Sequence, residues 1–332
     1  MDDPAASTLA FRDLKPDDIL GALESLGFRC DGRFLALNSY ENRVYQVGIE
    51  DGEPVVAKFY RPGRWSDEAI LEEHAFTLEL VSHEIPVVAP LIIEGSTLHH
   101  CGPFRIAVAP RRGGRAPDLD NTGLQRQLGR LVARIHLAGE GGAFRHRPSI
   151  DIESYGYESA DFLLHNDFIP EDLVASYESI SLLACEQAEA CFDRGGRYRQ
   201  VRLHGDFHPG NVLVAGDALH IVDLDDARNG PAAQDLWMFL SGNRQEQTPQ
   251  LEILLDGYQE FRQFDARELN LIEALRTLRI MHYAAWLARR WEDPAFKVAF
   301  PWFNTASYWG EHILTLREQV AAMQEPPLEW RF

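Results

Sequence analysis

The chain has 332 residues, 45 % hydrophobic and 25 % charged, enough for one large or two medium domains with a sizeable buried core. A net charge of −19 sets its surface against nucleic acid and anionic membranes, so neither is expected as a main partner. The acidic start Met1-Asp2-Asp3-Pro4 does not read as a secretory signal, and the longest wholly apolar run, Ile85 to Ile93, holds two prolines and is about half a membrane span. Cys30, Cys101, Cys185 and Cys191 have neither metal-ligand nor redox spacing, so free thiols and a cytoplasmic location are expected.

Helical spacing of Ile19, Leu20, Leu23 and Leu26 predicts a helix over 16–27. Two β-rich runs, Arg43–Ile49 and Pro54–Tyr60, flank Asp51-Gly52 and read as a hairpin. A helix over 66–82 follows, opened by Ser66-Asp67-Glu68 and stopped by Pro86 and Pro90. Short strands near 97–100 and 104–109 complete a sheet-rich lobe of residues 1–110. The basic joint Arg111-Arg112-Gly113-Gly114-Arg115 then leads into a mainly helical lobe, 111–332, with helices predicted near 121–138, 157–166, 172–193, 231–241, 248–263 and 267–291. A strand-like island interrupts it at Val201–Leu203, Val212–Val214 and His220–Val222.

That island carries the chemistry. His204-Gly205-Asp206-Phe207-His208-Pro209-Gly210-Asn211 has the spacing H-x-D-x-x-x-x-N of kinase catalytic loops, and Asp223 ends the next apolar run. The turn Gly216-Asp217 would fold the two runs into a hairpin with Asn211 beside Asp223. An amide oxygen and a carboxylate suit magnesium, a hard cation that bridges protein to polyphosphate. Asp206 would meet the accepting hydroxyl. Polar residues also crowd ordinary turns, but the full set with Asp223 in place favours chemistry. His204 is expected to brace the loop by hydrogen bonding and Asp235 to tie it to a helix start; Asp225 and Asp226 crowd Asp223 and could assist the metal, with solvated carboxylates the preferred reading.

Upstream, Val55-Val56-Ala57-Lys58-Phe59 places a lysine inside an apolar strand, which is costly unless the lysine is paired or faces a cleft. Glu72 and Glu73 on the next helix are both candidate partners. Glu73 is preferred because Phe76 and Leu80 share its face, which leaves Glu72 as a solvated surface acid. No G-x-G-x-x-G is present. In its place Leu37 to Val44 forms a turn in which Asn38, Ser39 and Asn42 could meet phosphate oxygens. Trp286 to Pro294 reads as core or as the lining of a substrate cleft.

In its H-G-D-x-x-x-x-N and V-D elements the chain resembles the aminoglycoside phosphotransferase and choline kinase class of kinase-like proteins. The blocks NSYENRVYQ, VVAKFYRP, ILEEH, RLHGDFHPGN, VDLDDARNGPAAQDLWM and WLARRWEDPAF bring it nearest to bacterial serine/threonine protein kinases of that class that act in stress protection. The resemblance implies an α+β, two-lobed protein-kinase-like fold with a small antiparallel-sheet lobe and a larger helical lobe. It implies ATP and Mg2+ as cofactors, Asp206 as proton acceptor, Asn211 and Asp223 as metal ligands, and Ser39 and Lys58 as ATP contacts. Backbone groups near Val108 and Ala109 would meet adenine, and the protein would be a monomer. Two acceptors stay open: a protein hydroxyl, as in those relatives, or a small hydroxyl-bearing metabolite. Asp235 follows Asp223 by only twelve positions, which leaves no room for a long substrate-bearing activation segment.

Overall fold

Five antiparallel strands, β1 (Cys30–Ala36), β2 (Arg43–Ile49), β3 (Val55–Phe59), β4 (His99–Cys101) and β5 (Phe104–Pro110), form one sheet in the order β1-β2-β3-β5-β4. The structure, a computed structural model, describes residue 11 and residues 14–330. The acidic first four residues lie outside that range. Alternation along β3 divides its side chains between two faces. Val55, Ala57 and Phe59 join Ile106 and Val108 in a core covered by Ile19 and Leu23 of helix α1 (Pro16–Ser25). Val56, Lys58 and Tyr60 face the other way and line a pocket. Helix α2 (Asp67–Ser82) starts where Ser66 accepts the Ala69 N–H at 3.2 Å, and it buries Ile70, Phe76 and Leu80.

The described chain divides into two units. The first runs to Pro117 and also takes in Arg145–Arg147 and Gly210–Asp225; the second comprises the rest. The late segment of the first unit is a hairpin of β7 (Val212–Ala215) and β8 (Ala218–Ile221), which turns at Gly216 with φ 60°. It is bound into its unit by Val88 N–H to the Ile221 carbonyl, Ile221 N–H to the Pro86 carbonyl, and paired bonds between Arg115 and Val214.

The second unit is built from helices α3 (Thr122–Gly139), α4 (Glu158–His165), α5 (Val174–Gly195), α6 (Gln234–Trp237), α7 (Arg244–Tyr258), α8 (Ile272–Arg289), α9 (Pro294–Ala299) and α10 (Ala306–Gln324). Two three-residue strands, β6 (Val201–Leu203) and β9 (Arg228–Gly230), pair antiparallel. α3 and α7 approach closely because Gly129 and Gly257 have no side chain. A Cβ at Gly129 would strike the Leu254 carbonyl, and one at Gly257 the Arg126 carbonyl. α5 packs on α10 through Tyr177 and Trp309, both buried, with rings 6.0 Å apart edge to face.

Two expected helices differ. The segment 231–241 gives only the four-residue α6, because Pro231 to Ala233 form a turn before it. The helix expected over 248–263 starts earlier, at Arg244, where Asn243 and Glu246 form a reciprocal cap, and it ends at Tyr258.

Candidate active site

In the first unit a pocket of about 360 Å³ is bounded by Leu37, Asn38, Ser39, Val56, Lys58, Tyr60, Glu73, Ala109, Asn211 and Asp223 among others. Seven of the residues proposed from sequence thus share one cavity: Asn38, Ser39, Lys58, Glu73, Ala109, Asn211 and Asp223. Val108, also proposed, does not reach it. Its side chain is fully buried in the sheet core, and its carbonyl accepts the Leu91 N–H at 2.7 Å. Of that pair, only Ala109 lines the cavity.

Lys58 does not pair with Glu73. Its ammonium lies 2.8 Å from Asp225 and 3.4 Å from Asp223. Burial would push the lysine pKa down, but Asp225, then Tyr60, Asp223 and Glu73, outweigh it and hold the ammonium well above its usual value. Asp225 is therefore no solvated carboxylate: it is 4 % exposed and also receives Arg64 at 3.1 Å. Glu73 is buried one layer behind. It accepts from the Thr77 hydroxyl at 3.3 Å and lies 3.7 Å from His74 Nε2, and burial raises its pKa despite Lys58 and Arg147. His74 bonds Tyr60 at 2.7 Å and Thr97 at 2.8 Å; burial, with Lys58 and Arg147 nearby, pushes its pKa down to about 3, so the ring is neutral. Glu72 is a correction too. Its carboxylate accepts the Arg145 N–H at 2.9 Å and the His146 N–H at 2.8 Å, which fastens that short segment to α2.

The hairpin supplies two oxygen donors. Asn211 precedes β7, and its carbonyl accepts the Val222 N–H at 3.0 Å, so the two ends of the hairpin are held together. Asp223 follows β8 with φ 62°, a left-handed conformation that aspartate tolerates better than most residues. Its side chain is 55 % exposed. An exposed carboxylate and an amide at the ends of one hairpin fit a divalent cation of hard character. In the turn at 38–42, Asn38 and Ser39 line the cavity. Asn42 does not serve there, because its buried side-chain oxygen accepts the Arg61 N–H at 3.0 Å.

Asp206 belongs to the second unit. Its Oδ1 lies 2.6 Å from Arg279 of α8, and its Oδ2 lies 3.5 Å from His208. Burial and the charge of Asp226 push the carboxyl up, but the His208 bond and the Arg279 guanidinium prevail and keep it below the usual carboxylate range. The loop backbone is held by Asp235, fully buried, which accepts the His204 N–H at 2.8 Å, the Gly205 N–H at 2.9 Å and His136 Nε2 at 3.1 Å. Gly205 has φ 85°, and a Cβ there would strike the Asp226 carbonyl. The His204 ring is buried against Phe207, with centroids 5.0 Å apart.

The profile described as the phosphotransferase enzyme family, APH, matches residues 33–272. The chain belongs to that family. It is 45 % identical over 325 residues to stress response kinase A of Escherichia coli K12, which covers 97 % of this chain and 98 % of that protein. It is 42 % identical over 323 residues to a serine/threonine protein kinase of Salmonella typhimurium, with the same coverage. Among solved structures it superposes on an amicoumacin kinase in complex with AMP-PNP and Ca2+ (TM-score 0.68, 18 % identity, 94 % of this chain and 95 % of that one). A microcompartment-associated aminopropanol kinase gives TM-score 0.68 at 16 % identity, over 92 % and 96 % of the two chains. At such identity these two carry the fold alone: a kinase-like sheet lobe and helical lobe.

This phosphotransferase is thus an enzyme that moves a phosphoryl group from ATP to a hydroxyl with a divalent cation. Several of its charged residues escaped sequence reading. Arg61 and Arg64 lie in the stretch after β3, Glu41 lies in the turn, and Arg279 lies on α8. The only signal for Asp225 was its place in an aspartate cluster. No helix among the described residues is long and apolar enough to cross a membrane. All four cysteines are free.

Proposed function

We propose that the acceptor of this ATP-dependent phosphotransferase is a serine or threonine hydroxyl of a protein, that the cation is Mg2+, and that the role is stress protection. The observation that carries the reading is one cavity bordered by Ser39, Lys58, Asn211 and Asp223, in a chain whose relatives at 42–45 % identity over nearly full length bear names of stress-response and serine/threonine kinases.

Asn211 and Asp223 would hold the metal through hard oxygens, and the metal when bound would offset the charge of the polyphosphate. Lys58 supplies a permanent positive charge to phosphate oxygens. Ser39 and the neighbouring turn lie against the same oxygens, and the Ala109 backbone is in reach of the base. Asp206, kept ionised by Arg279 and His208, orients the acceptor hydroxyl and collects its proton late, as a loose transition state allows. Such a group is worth about 10²–10⁴ in rate.

A small-molecule acceptor is the second reading. It is favoured by the short run from Asp223 to Asp235, which offers a protein substrate no long platform. Radiolabelled ATP supplied with the protein alone, with a generic protein acceptor and with a panel of amino alcohols and sugars separates the two. Label in protein hydroxyls supports the first reading; label only in a small molecule replaces it with the second.

A further inference from the structure

The turn that stands where many kinases carry a glycine-rich loop has no glycine between Asn38 and Asn42. Glycine would leave such a loop free to adapt, and its ordering would be spent against binding. Here the turn is instead tied down by charge. Glu41, 8 % exposed, lies 3.1 Å from Arg61 Nε through one oxygen and 2.9 Å from Arg64 Nη1 through the other. Arg61 Nε also donates to the Glu41 carbonyl at 2.9 Å. The same Arg64 nitrogen lies 3.1 Å from Asp225 Oδ2, and Asp225 Oδ1 lies 2.8 Å from Lys58 Nζ.

A series of alternating charges, Glu41–Arg64–Asp225–Lys58, with both carboxylates buried and both cations half-buried, therefore runs from the turn to the lysine inside one unit. We infer that this series is a lock that holds the glycine-free turn and Lys58 as one preformed polyphosphate cradle, with Glu41 and Asp225 as its positioning residues. The inference rests on reading the cavity as the ATP site. It also explains why Lys58 can do without a direct bond to Glu73: the fixed partner is Asp225, and Arg64 keeps that carboxylate in place.

Glu41→Gln gives a test in which two explanations differ in sign. The substitution removes a negative charge from near an anionic ligand, so electrostatics alone would tighten AMP-PNP binding. The lock predicts the reverse: about 10-fold weaker AMP-PNP binding by calorimetry, with adenosine, which has no phosphates, within about two-fold. Without nucleotide, amide hydrogen exchange over residues 37–44 should rise about five-fold or more in the variant. Arg64→Lys keeps the charge on a shorter side chain that stops short of the point where Nη1 meets both carboxylates, and it should show the same pair of effects should Glu41→Gln fail to fold. AMP-PNP binding that is unchanged or tighter, or exchange equal to wild type, would overturn the lock. Wild-type protein that binds neither AMP-PNP nor adenosine would instead sink the reading of the cavity, while the exchange measurement would still decide the lock.

Discussion

Asp206 and Asp223 sit at two ends of the family's signature and are held in opposite ways. Asp206 has one oxygen on a guanidinium and the other near an imidazole, on a loop whose backbone is fastened by a buried carboxylate. Asp223 ends a hairpin in a left-handed conformation, more than half exposed, with the Lys58 ammonium 3.4 Å away. A group that must meet a hydroxyl at a fixed angle gains from being clamped, because orientation is most of what it contributes. A metal ligand gains from being open, because the cation brings its own geometry and several other ligands.

The sharpest way to break this contrast is Asp206→Asn. Turnover should fall by about 10³-fold or more while the affinity for ATP with magnesium stays within a few-fold. Calorimetry decides it: complete loss of nucleotide binding would make Asp206 a metal ligand and erase the distinction. Next comes Lys58→Ala, with an expected loss on the order of 10²-fold in kcat/KM, since it removes the charge proposed to face phosphate oxygens. Glu73→Ala should cost less, because no ion pair joins it to the lysine.

Arg279→Gln tests the clamp itself. We expect kcat to fall about 10-fold with KM for ATP little changed, and Arg279→Lys to recover part of it. The acidic limb of the pH profile should also move up. The sign follows from the charges around Asp206: Arg279 and His208 hold its carboxyl down and Asp226 pushes it up, so loss of the guanidinium lets the carboxylate protonate at higher pH. A limb that stays put would mean that Arg279 does not set this ionisation.

The smallest effect concerns what supports the Asp206 loop from behind. Glu268 accepts the Ala233 N–H at 2.9 Å, next to the helix that carries Asp235, and burial pushes its pKa from 4.5 up to about 7. A folded pKa above the unfolded one gives a contribution that is complete below about pH 4.5 and is lost as pH rises through about 7. Glu268→Gln should therefore flatten the fall in Tm between pH 5 and 8 and add stability on the order of 2 kcal/mol at pH 8. An identical Tm–pH slope in the variant would show that Glu268 is not the titrating group.

Much of this was legible because it is local. Ser66 before acidic residues, Asp51-Gly52 between β-rich runs, and the period of Phe76 and Leu80 each act within a few residues, and α2, β2 and β3 form where those signals put them. α7 begins four residues before the expected position, with Pro249, a residue that usually opens a helix, inside it. α10 was missed although Trp309, Ile313, Leu316 and Val320 carry a helical period after the Thr305 cap; β9 was unreadable, being three buried residues with no apolar alternation. At the site, spacing alone could pick out Asp206, Asn211, Asp223 and Lys58. It could not say that Asp225 would be buried, because the cations that make its burial tolerable, Lys58 and Arg64, are more than 160 positions away. Nor could it separate Glu72 from a surface acid, because its ligands are two backbone N–H groups with no side-chain signature.

The path of the chain has a consequence for inheritance. The first unit is stitched from three stretches, and the last of them, Gly210–Asp225, brings the proposed metal ligands and completes backbone bonds with Pro86, Val88 and Arg115. A gene fragment ending at Pro117 would therefore encode the five-stranded sheet without the backbone partners of Pro86, Val88 and Arg115 and without the proposed cation ligands. The first unit cannot be cut out as a contiguous cassette and grafted to another partner. Any descendant with a new acceptor is expected to vary loops and helices of the second unit while the whole length stays together, so diversification in this lineage is expected to proceed by substitution and insertion, not by exchange of modules.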